Sequence, residues 1–503
     1  MRSILLVVAL LMPSTATAAT HLCHTPQLLP TFEPAPGPAS WTAARDKYAR
    51  NPLGLPNERL SDNFAVRWGN SWGGTTGQVD DLLDALEDAW RVQIGEMQHP
   101  MPWGTTEVLM NVYIGDSGNG APPGYGAGGY FTPDDDSYPT LVIAADSIPA
   151  RTRTVAIHEL YHAVQWGLGT YTYDNDDPGA WYWEATASWI PSMVDTNSSD
   201  HAIFLFGFAL AAYLPLDSFD YADSGALIEY HQYGAMIFPT FISEQVTPWQ
   251  AVRNSWVEPV GGGGDPIEAL RYELDDLDED FDDVFVEFAA HNVFWDYRQG
   301  DDFEYLVEFY EDYYPGEDPY TAIVTEAGEG RPPGSREPYR YGTNTLHFDL
   351  PGSRTWELTI DVDGRGDRDS AARWGATLVT RSGGIDYERL PFDDGIASVR
   401  FVDDGDVALS IAAWSEDRRS GEQFGWSWDL REVDDLGDDD DATDDDDAFA
   451  DDDDDFGGGG GGSARGRGCA CDAASSPGPP PWLALAGLLL VRRRERSARP
   501  TTG

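Results

Sequence analysis

Positive charge is scarce in this 503-residue chain. Lys47 is its single lysine, and 32 Lys and Arg stand against 87 Asp and Glu, for a formal net charge of −55. Such a surface disfavours nucleic acid and anionic membranes and favours solubility, so no nucleic-acid partner is expected. Cysteine is equally sparse, and three residues cannot staple a fold of this size, which argues against a disulfide-built scaffold. Histidine occurs only nine times, so a histidine pair at a meaningful spacing carries weight. What the chain does have is a 12% aromatic content, enough for substantial cores, and a length that suggests two folded domains plus tails.

The histidine pair is found in His158-Glu159-Leu160-Tyr161-His162. Residues four apart on a helix stack on one face, so both imidazoles can reach one metal ion, and Glu159 can touch a water at that metal. The flanks favour a helix. Thr152 and Thr154 are candidate caps, residues 155–166 lack Gly and Pro, and Gly167 is placed to end it. Upstream, residues 139–144 read as a short buried strand.

A catalytic zinc needs a third protein ligand and an open position. Gln165 and Leu168 stand where the extended three-histidine pattern has Gly and His, so that pattern fails. Glu184 is the better candidate. It is a lone carboxylate among Trp181, Tyr182, Trp183, Ala185, Thr186, Ala187, Ser188 and Trp189. Buried there unpaired it would be costly, so it needs a cation or strong donors.

This combination resembles the gluzincin metallopeptidases, and residues 155–190 resemble most closely a metalloprotease family of myxobacteria and their relatives. The resemblance runs from about Phe64 to about Tyr313. It implies a zincin-like fold, with His158, His162 and Glu184 as zinc ligands and Glu159 as general base. Residues 124–129, a glycine-rich stretch, lack the acid that grips a substrate amino group in aminopeptidases, so aminopeptidase specificity is not implied. In gluzincins a Tyr or His of a later helix donates to the developing oxyanion. His231 is the first candidate for that role and Tyr233 its substitute, both in Tyr230-His231-Gln232-Tyr233-Gly234.

The two ends suggest export. Residues 1–18 read as a signal peptide, with Arg2, an apolar stretch over residues 4–12 and Ala16-Thr17-Ala18 as a cleavage site. At the other end, 15 aspartates between residues 434 and 455 and the glycines 457–462 form a segment that cannot bury a core. Cys469-Ala470-Cys471, the short apolar run 481–491 and Arg492-Arg493-Arg494 follow. That run is too short for a membrane span, which needs about 20 residues. The order resembles the C-terminal sorting signals of myxobacterial surface proteins (MYXO-CTERM). It implies recognition by sorting machinery and anchoring at the cell surface or outer membrane.

Between the ends, residues 19–59 are Pro-rich and irregular, a propeptide or a wrapping arm. Strands are expected at residues 63–68 and 108–114, and an amphipathic helix at 77–96. Residues 169–180 read as an acidic surface loop; Asp174, Asp176 and Asp177 are a calcium candidate there, less favoured than a solvated loop. From 181 to about 313 the pattern is mainly helical, with His291 read as a packed residue rather than a ligand. After a Gly/Pro-rich linker at 328–335, alternation indicates a β-sandwich over 336–432. Its Asp361–Asp367 stretch is again better read as a solvated turn than as a calcium loop.

The chain therefore reads as an α+β protein. A zincin-like domain over 60–328, made of a small sheet with helices and a mainly helical second lobe, precedes an all-β sandwich. An acidic and Gly-rich linker (433–468) and the sorting signal (469–503) complete it. The expected function is a secreted, surface-anchored zinc metallopeptidase acting on peptide or protein substrates, with zinc as cofactor and calcium unsupported. Two alternatives stay open: an adhesion or binding protein on a zincin scaffold, and a zinc hydrolase with a non-peptide substrate.

Overall fold

Largely apolar, buried runs build the inner strands of the first sheet, as expected where both faces are covered. Its strands are β1 (Asn57–Leu60), β2 (Phe64–Trp68), β3 (Met110–Gly115), β4 (Gly129–Pro133) and β5 (Pro139–Ala144). The computed structural model describes residues 47–433, apart from 126–127, 175–176, 221–226, 259–263, 312, 315, 363–371 and 416–421. The signal peptide, most of the arm, the acidic linker and the C-terminal signal lie outside the described residues. So do Asp176 and Asp363–Asp367 of the two calcium candidates. Strand order is β1-β2-β3-β5-β4, with β2, β3 and β5 parallel and the two edge strands antiparallel. Every residue of β3 and β5 is buried.

Helices pack against this sheet. Helix α1 (Thr76–Trp90) starts at a capping box formed by Thr75 and Gln78 and continues into one π-helical segment, Arg91–Glu96. Helix α2 (Thr152–Leu168) carries the two histidines and packs against β4, β5 and α1. Helix α3 (Ala180–Val194) crosses it. A helical lobe follows: α4 (Leu205–Ala209), α5 (Leu227–Gly234), α6 (Ile237–Phe241), α7 (Gln250–Val257), α8 (Pro266–Asp275), α9 (Phe281–His291) and α10 (Gly300–Glu311). Asp265 and Asp280 cap α8 and α9 through their side chains.

Two antiparallel-rich sheets then form a sandwich. One has the order β11 (Ile385–Leu390), β10 (Ala372–Arg381), β13 (Asp406–Ser415), β8 (Gly342–Phe348), β6 (Ala322–Val324). The other runs β12 (Ile396–Val402), β9 (Thr355–Asp361), β14 (Ser427–Val433), β7 (Gly328–Gly330). Their inward residues, among them Leu346, Leu358, Leu409 and Trp426, make a separate apolar core. Among the described residues no helix is long and apolar enough to cross a membrane.

Several boundaries differ from the sequence reading. Helix α2 ends at Leu168 with Gly169 left-handed at φ 62°, and Gly167 stays helical, since only Gly169 must turn the chain. Its N-cap is Arg151, without a side-chain cap, rather than a threonine. The arm is not irregular to residue 59. Asn57–Leu60 pairs with β2, Leu55 packs with Tyr113 and Tyr130, and Arg67 Nη2 donates to the Arg50 carbonyl at 2.6 Å. The sandwich begins at Ala322, because two three-residue segments at and before the supposed linker zip onto its edges. Gly330 permits this, since a Cβ there would meet the Trp428 ring at 2.2 Å. The two lobes also pack closely. Arg271 Nη2 donates to Asp282 Oδ1 at 2.8 Å, Tyr341 of the sandwich donates to the same oxygen at 2.9 Å, and His291 stacks on Tyr387 at 4.6 Å.

Candidate metal centre

Helix α2 is buried at every position from 154 to 167, as is α3 from 180 to 192. A helix covered on all sides is ordinarily apolar all round. Yet α2 carries His158, Glu159, His162 and Gln165, and α3 carries Glu184, all at 0% exposure. Buried polar groups need partners, and here they find them in one another.

The two histidines and Glu184 converge. His158 Nε2 and His162 Nε2 are 3.1 Å apart, and Glu184 Oε2 lies 3.2 Å from the first and 3.6 Å from the second. Four-coordinate zinc with nitrogen and oxygen ligands at roughly 2.0–2.1 Å separates its ligand atoms by about 3.3 Å. The three atoms already stand at that spacing and so could hold a metal.

The hydrogen bonds around them settle which ring nitrogen of His162 is free to bind. Gln165 Nε2 donates to the Trp183 carbonyl at 3.0 Å and to Thr186 Oγ1 at 2.9 Å. Its Oε1 therefore faces His162 Nδ1, at 2.6 Å, and that nitrogen must carry the proton. Thr186 in turn donates to the Tyr182 carbonyl at 2.6 Å and accepts from Trp256 Nε1 at 3.2 Å, which fixes the orientation of the amide. His162 Nε2 is left with a lone pair aimed at His158 Nε2 and Glu184 Oε2. Facing lone pairs repel unless a proton or a metal cation lies between them, and a donor set of two imidazoles and a carboxylate is one that a metal fits. The Trp183 indole stacks over the His162 ring at 5.9 Å, and the Tyr173 hydroxyl donates to Glu184 Oε1.

The electrostatics agree. Burial opposes charge on Glu184, but His162 and His158 hold its carboxyl well below the usual carboxylate range. Burial pushes His158 down. Burial also opposes a charged His162, but the Glu184 carboxylate outweighs it and raises that ring's affinity for a proton. The pocket thus favours an ionised Glu184 beside positive charge.

Glu159 lies near enough to His162 to add to that ring's affinity for a proton, and its side chain meets the sheet edge. A Cβ on Gly129, at the start of edge strand β4, would lie 2.9 Å from Glu159 Cγ and 2.8 Å from Val155 Cγ1. Only glycine lets β4 approach this closely, and it brings the sheet edge against the Glu159 side chain. His231 and Tyr233 are both buried on α5. The His231 ring packs on Phe208 at 5.2 Å and makes no hydrogen bond, ion pair or ring contact to the three converging residues; Tyr233 packs on Phe204 at 5.2 Å.

Two contributors escape the sequence reading. The acidic composition of residues 169–180 places them at the surface, yet Tyr171 and Tyr173 are 2% and 5% exposed. Tyr171 donates to the Ser255 carbonyl at 2.7 Å, which draws the loop inward and brings Tyr173 onto Glu184. Gln165 enters the sequence reading only as a mismatch to another pattern; its place three residues after His162 on one helix face is the available signal.

The chain belongs to a family of unknown function (DUF6055), whose sequence model matches residues 36–389. No curated protein matches it. Among solved structures it is similar to the pre-peptidase C-terminal domain of a collagenase from Bacillus anthracis, at 10% identity and a TM-score of 0.16, covering 23% of this chain and 100% of that one. It is also similar to CorA, a surface-associated copper-binding protein of Methylomicrobium album BG8, at 6% identity and a TM-score of 0.15, covering 23% of this chain and 98% of that one. Likenesses of that size carry no inference about fold or function.

Proposed function

We propose that this DUF6055 member is a zinc metallopeptidase of the gluzincin type, with the first sheet and the helical lobe as its zincin-like catalytic domain. One observation carries the reading. Two histidine nitrogens and a carboxylate oxygen converge at zinc spacing in a buried pocket, with a second carboxylate, Glu159, on the same helix. A retained base argues for turnover, since a purely structural site has no use for one. Zinc bound there would supply a Lewis acid for the scissile carbonyl and a water of lowered pKa.

The chain's own residues do the rest. Glu159 takes the proton of the attacking water and returns it to the leaving amine. Strand β4 is the sheet's edge and abuts Glu159 at Gly129, so an extended peptide can add along it as a further strand. His231 or Tyr233 is the candidate donor to the developing oxyanion. The test is Glu159→Gln in metal-loaded protein, assayed on a peptide library. Hydrolysis should fall roughly 10²–10⁴-fold while metal content and fold persist. Undiminished cleavage by that variant removes Glu159 as the base, and comparing His231→Ala with Tyr233→Phe for loss of kcat assigns the donor.

Export and surface anchoring are proposed from the chain's ends, with residues 469–503 as a MYXO-CTERM-type signal read by sorting machinery. A chain ending at Glu432 should keep metal and activity but appear in the medium, whereas the full chain stays on the cell. A truncated chain that remains cell-bound would put the anchor elsewhere.

A further inference from the structure

The two oxygens of the buried Glu184 carboxylate meet different surroundings. Oε2 faces the Nε2 atoms of His158 and His162, at 3.2 Å and 3.6 Å, whereas Oε1 accepts a hydrogen bond from the Tyr173 hydroxyl. A carboxylate can grip a metal ion with one oxygen or with both. The choice matters here. Four-coordinate zinc with three protein ligand atoms keeps one position for water, and a second oxygen from Glu184 would compete for it.

Tyr173 is held firmly enough to decide that choice. Its side chain is 5% exposed and makes edge-on ring contacts with Trp183 at 5.4 Å and Phe219 at 5.6 Å, which restrict its rotation. The backbone leading to it is tied down as well. Thr170 Oγ1 donates to the Trp256 carbonyl at 2.5 Å, and the Tyr171 hydroxyl donates to the Ser255 carbonyl at 2.7 Å. Trp183 Nε1 donates to the Tyr171 carbonyl at 3.2 Å, which fastens this segment to α3 one residue before Glu184. A partner that orients a ligand in this way acts on the metal through that ligand.

We infer that Tyr173 is a positioning residue: its hydrogen bond holds Oε1 of Glu184 off the metal, so that Glu184 binds through Oε2 alone and the fourth position stays open. This rests on the reading of His158, His162 and Glu184 as metal ligands.

The experiment is visible absorption of the full chain loaded with cobalt(II), a stand-in for zinc whose bands weaken as its coordination number rises. Tyr173→Phe removes the hydroxyl and keeps the ring packed on Trp183 and Phe219, and an unchanged unfolding temperature identifies it as folded. Parent and variant should each take up one cobalt per chain, with a clear loss of band intensity in the variant, where Oε1 is free to bind. Tyr161→Phe is the control. It removes another buried phenol from the metal helix itself, one that lies 3.5 Å from His99 Nε2, and should leave the bands as they are in the parent. Bands in Tyr173→Phe as intense as the parent's overturn the inference, even if zinc affinity falls, since loosened packing alone would lower affinity. An equal loss in Tyr161→Phe overturns it for the same reason. A parent chain that takes up no stoichiometric cobalt fails at the earlier step, by removing the metal site on which the inference rests.

Discussion

The two lobes of this protein bury very different things. Around α2 and α3 the interior holds two imidazoles, two carboxylates and an amide at 0% exposure. The sandwich interior is built from Leu346, Leu358, Leu409 and Trp426, while charged residues on and beside its strands pair at the surface, as Arg400 does with Glu357 at 2.9 Å and Arg354 with Glu432 at 2.6 Å. Burying charge is costly, and replacing buried ion pairs by apolar residues is often neutral or stabilising. A lobe that buries such a cluster bears a desolvation cost that the apolar core of the sandwich does not.

That contrast can be broken by two substitutions taken together. Leu358→Ala, in the sandwich core, should cost about 2–5 kcal/mol of stability and leave metal affinity untouched. Gln165→Leu should cost about 1–3 kcal/mol for the buried groups it leaves unpaired, and lose roughly 10–100-fold in zinc affinity because His162 loses the partner that fixes its tautomer. Thermal unfolding and competition with a zinc chelator read the two quantities. If Leu358→Ala weakens zinc as much as Gln165→Leu does, the lobes do not divide their tasks as described.

A smaller effect separates the lobes by pH. His99, His201 and His231 are all fully buried in the first lobe, and burial pushes them down to about 3, about 4 and about 4. Each then refuses in the folded state a proton that the unfolded chain accepts below the ordinary histidine value of 6.5. Their contribution is complete above that value and is lost as pH falls toward 4. A loss on the order of a few kcal/mol is expected across this interval. Urea unfolding at neutral and mildly acid pH measures it, and equal stability at both would show that these rings take up protons without cost.

Much of this was legible in the sequence, for identifiable reasons. The histidine pair of α2 could be read because spacing on a helix fixes which residues share a face. Glu184 could be read because a lone carboxylate buried among aromatics demands a cation or strong donors. Strands β2, β3 and β5 showed themselves by apolar runs, and the sandwich as a whole by alternation. What stayed hidden depends on neighbours distant in sequence. Tyr173 became part of the site only because Tyr171 and Thr170 are tied to Ser255 and Trp256, the latter through Thr170 Oγ1 to the Trp256 carbonyl at 2.5 Å. Ala322–Val324 and Gly328–Gly330 carry no strand pattern of their own and are strands because open sheet edges receive them. Strands β11 and β14 carry little strand signal of their own because charged residues interrupt them, as Asp386, Glu388 and Arg389 do in β11.

The central claim is that His158, His162 and Glu184 are a zinc site, and elemental analysis of purified, metal-loaded protein tests it most directly. One zinc per chain is expected in the parent and in Glu159→Gln, with essentially none retained by His162→Ala at matched fold. A parent chain that takes up no stoichiometric zinc, or a His162→Ala variant that remains fully occupied, would contradict it.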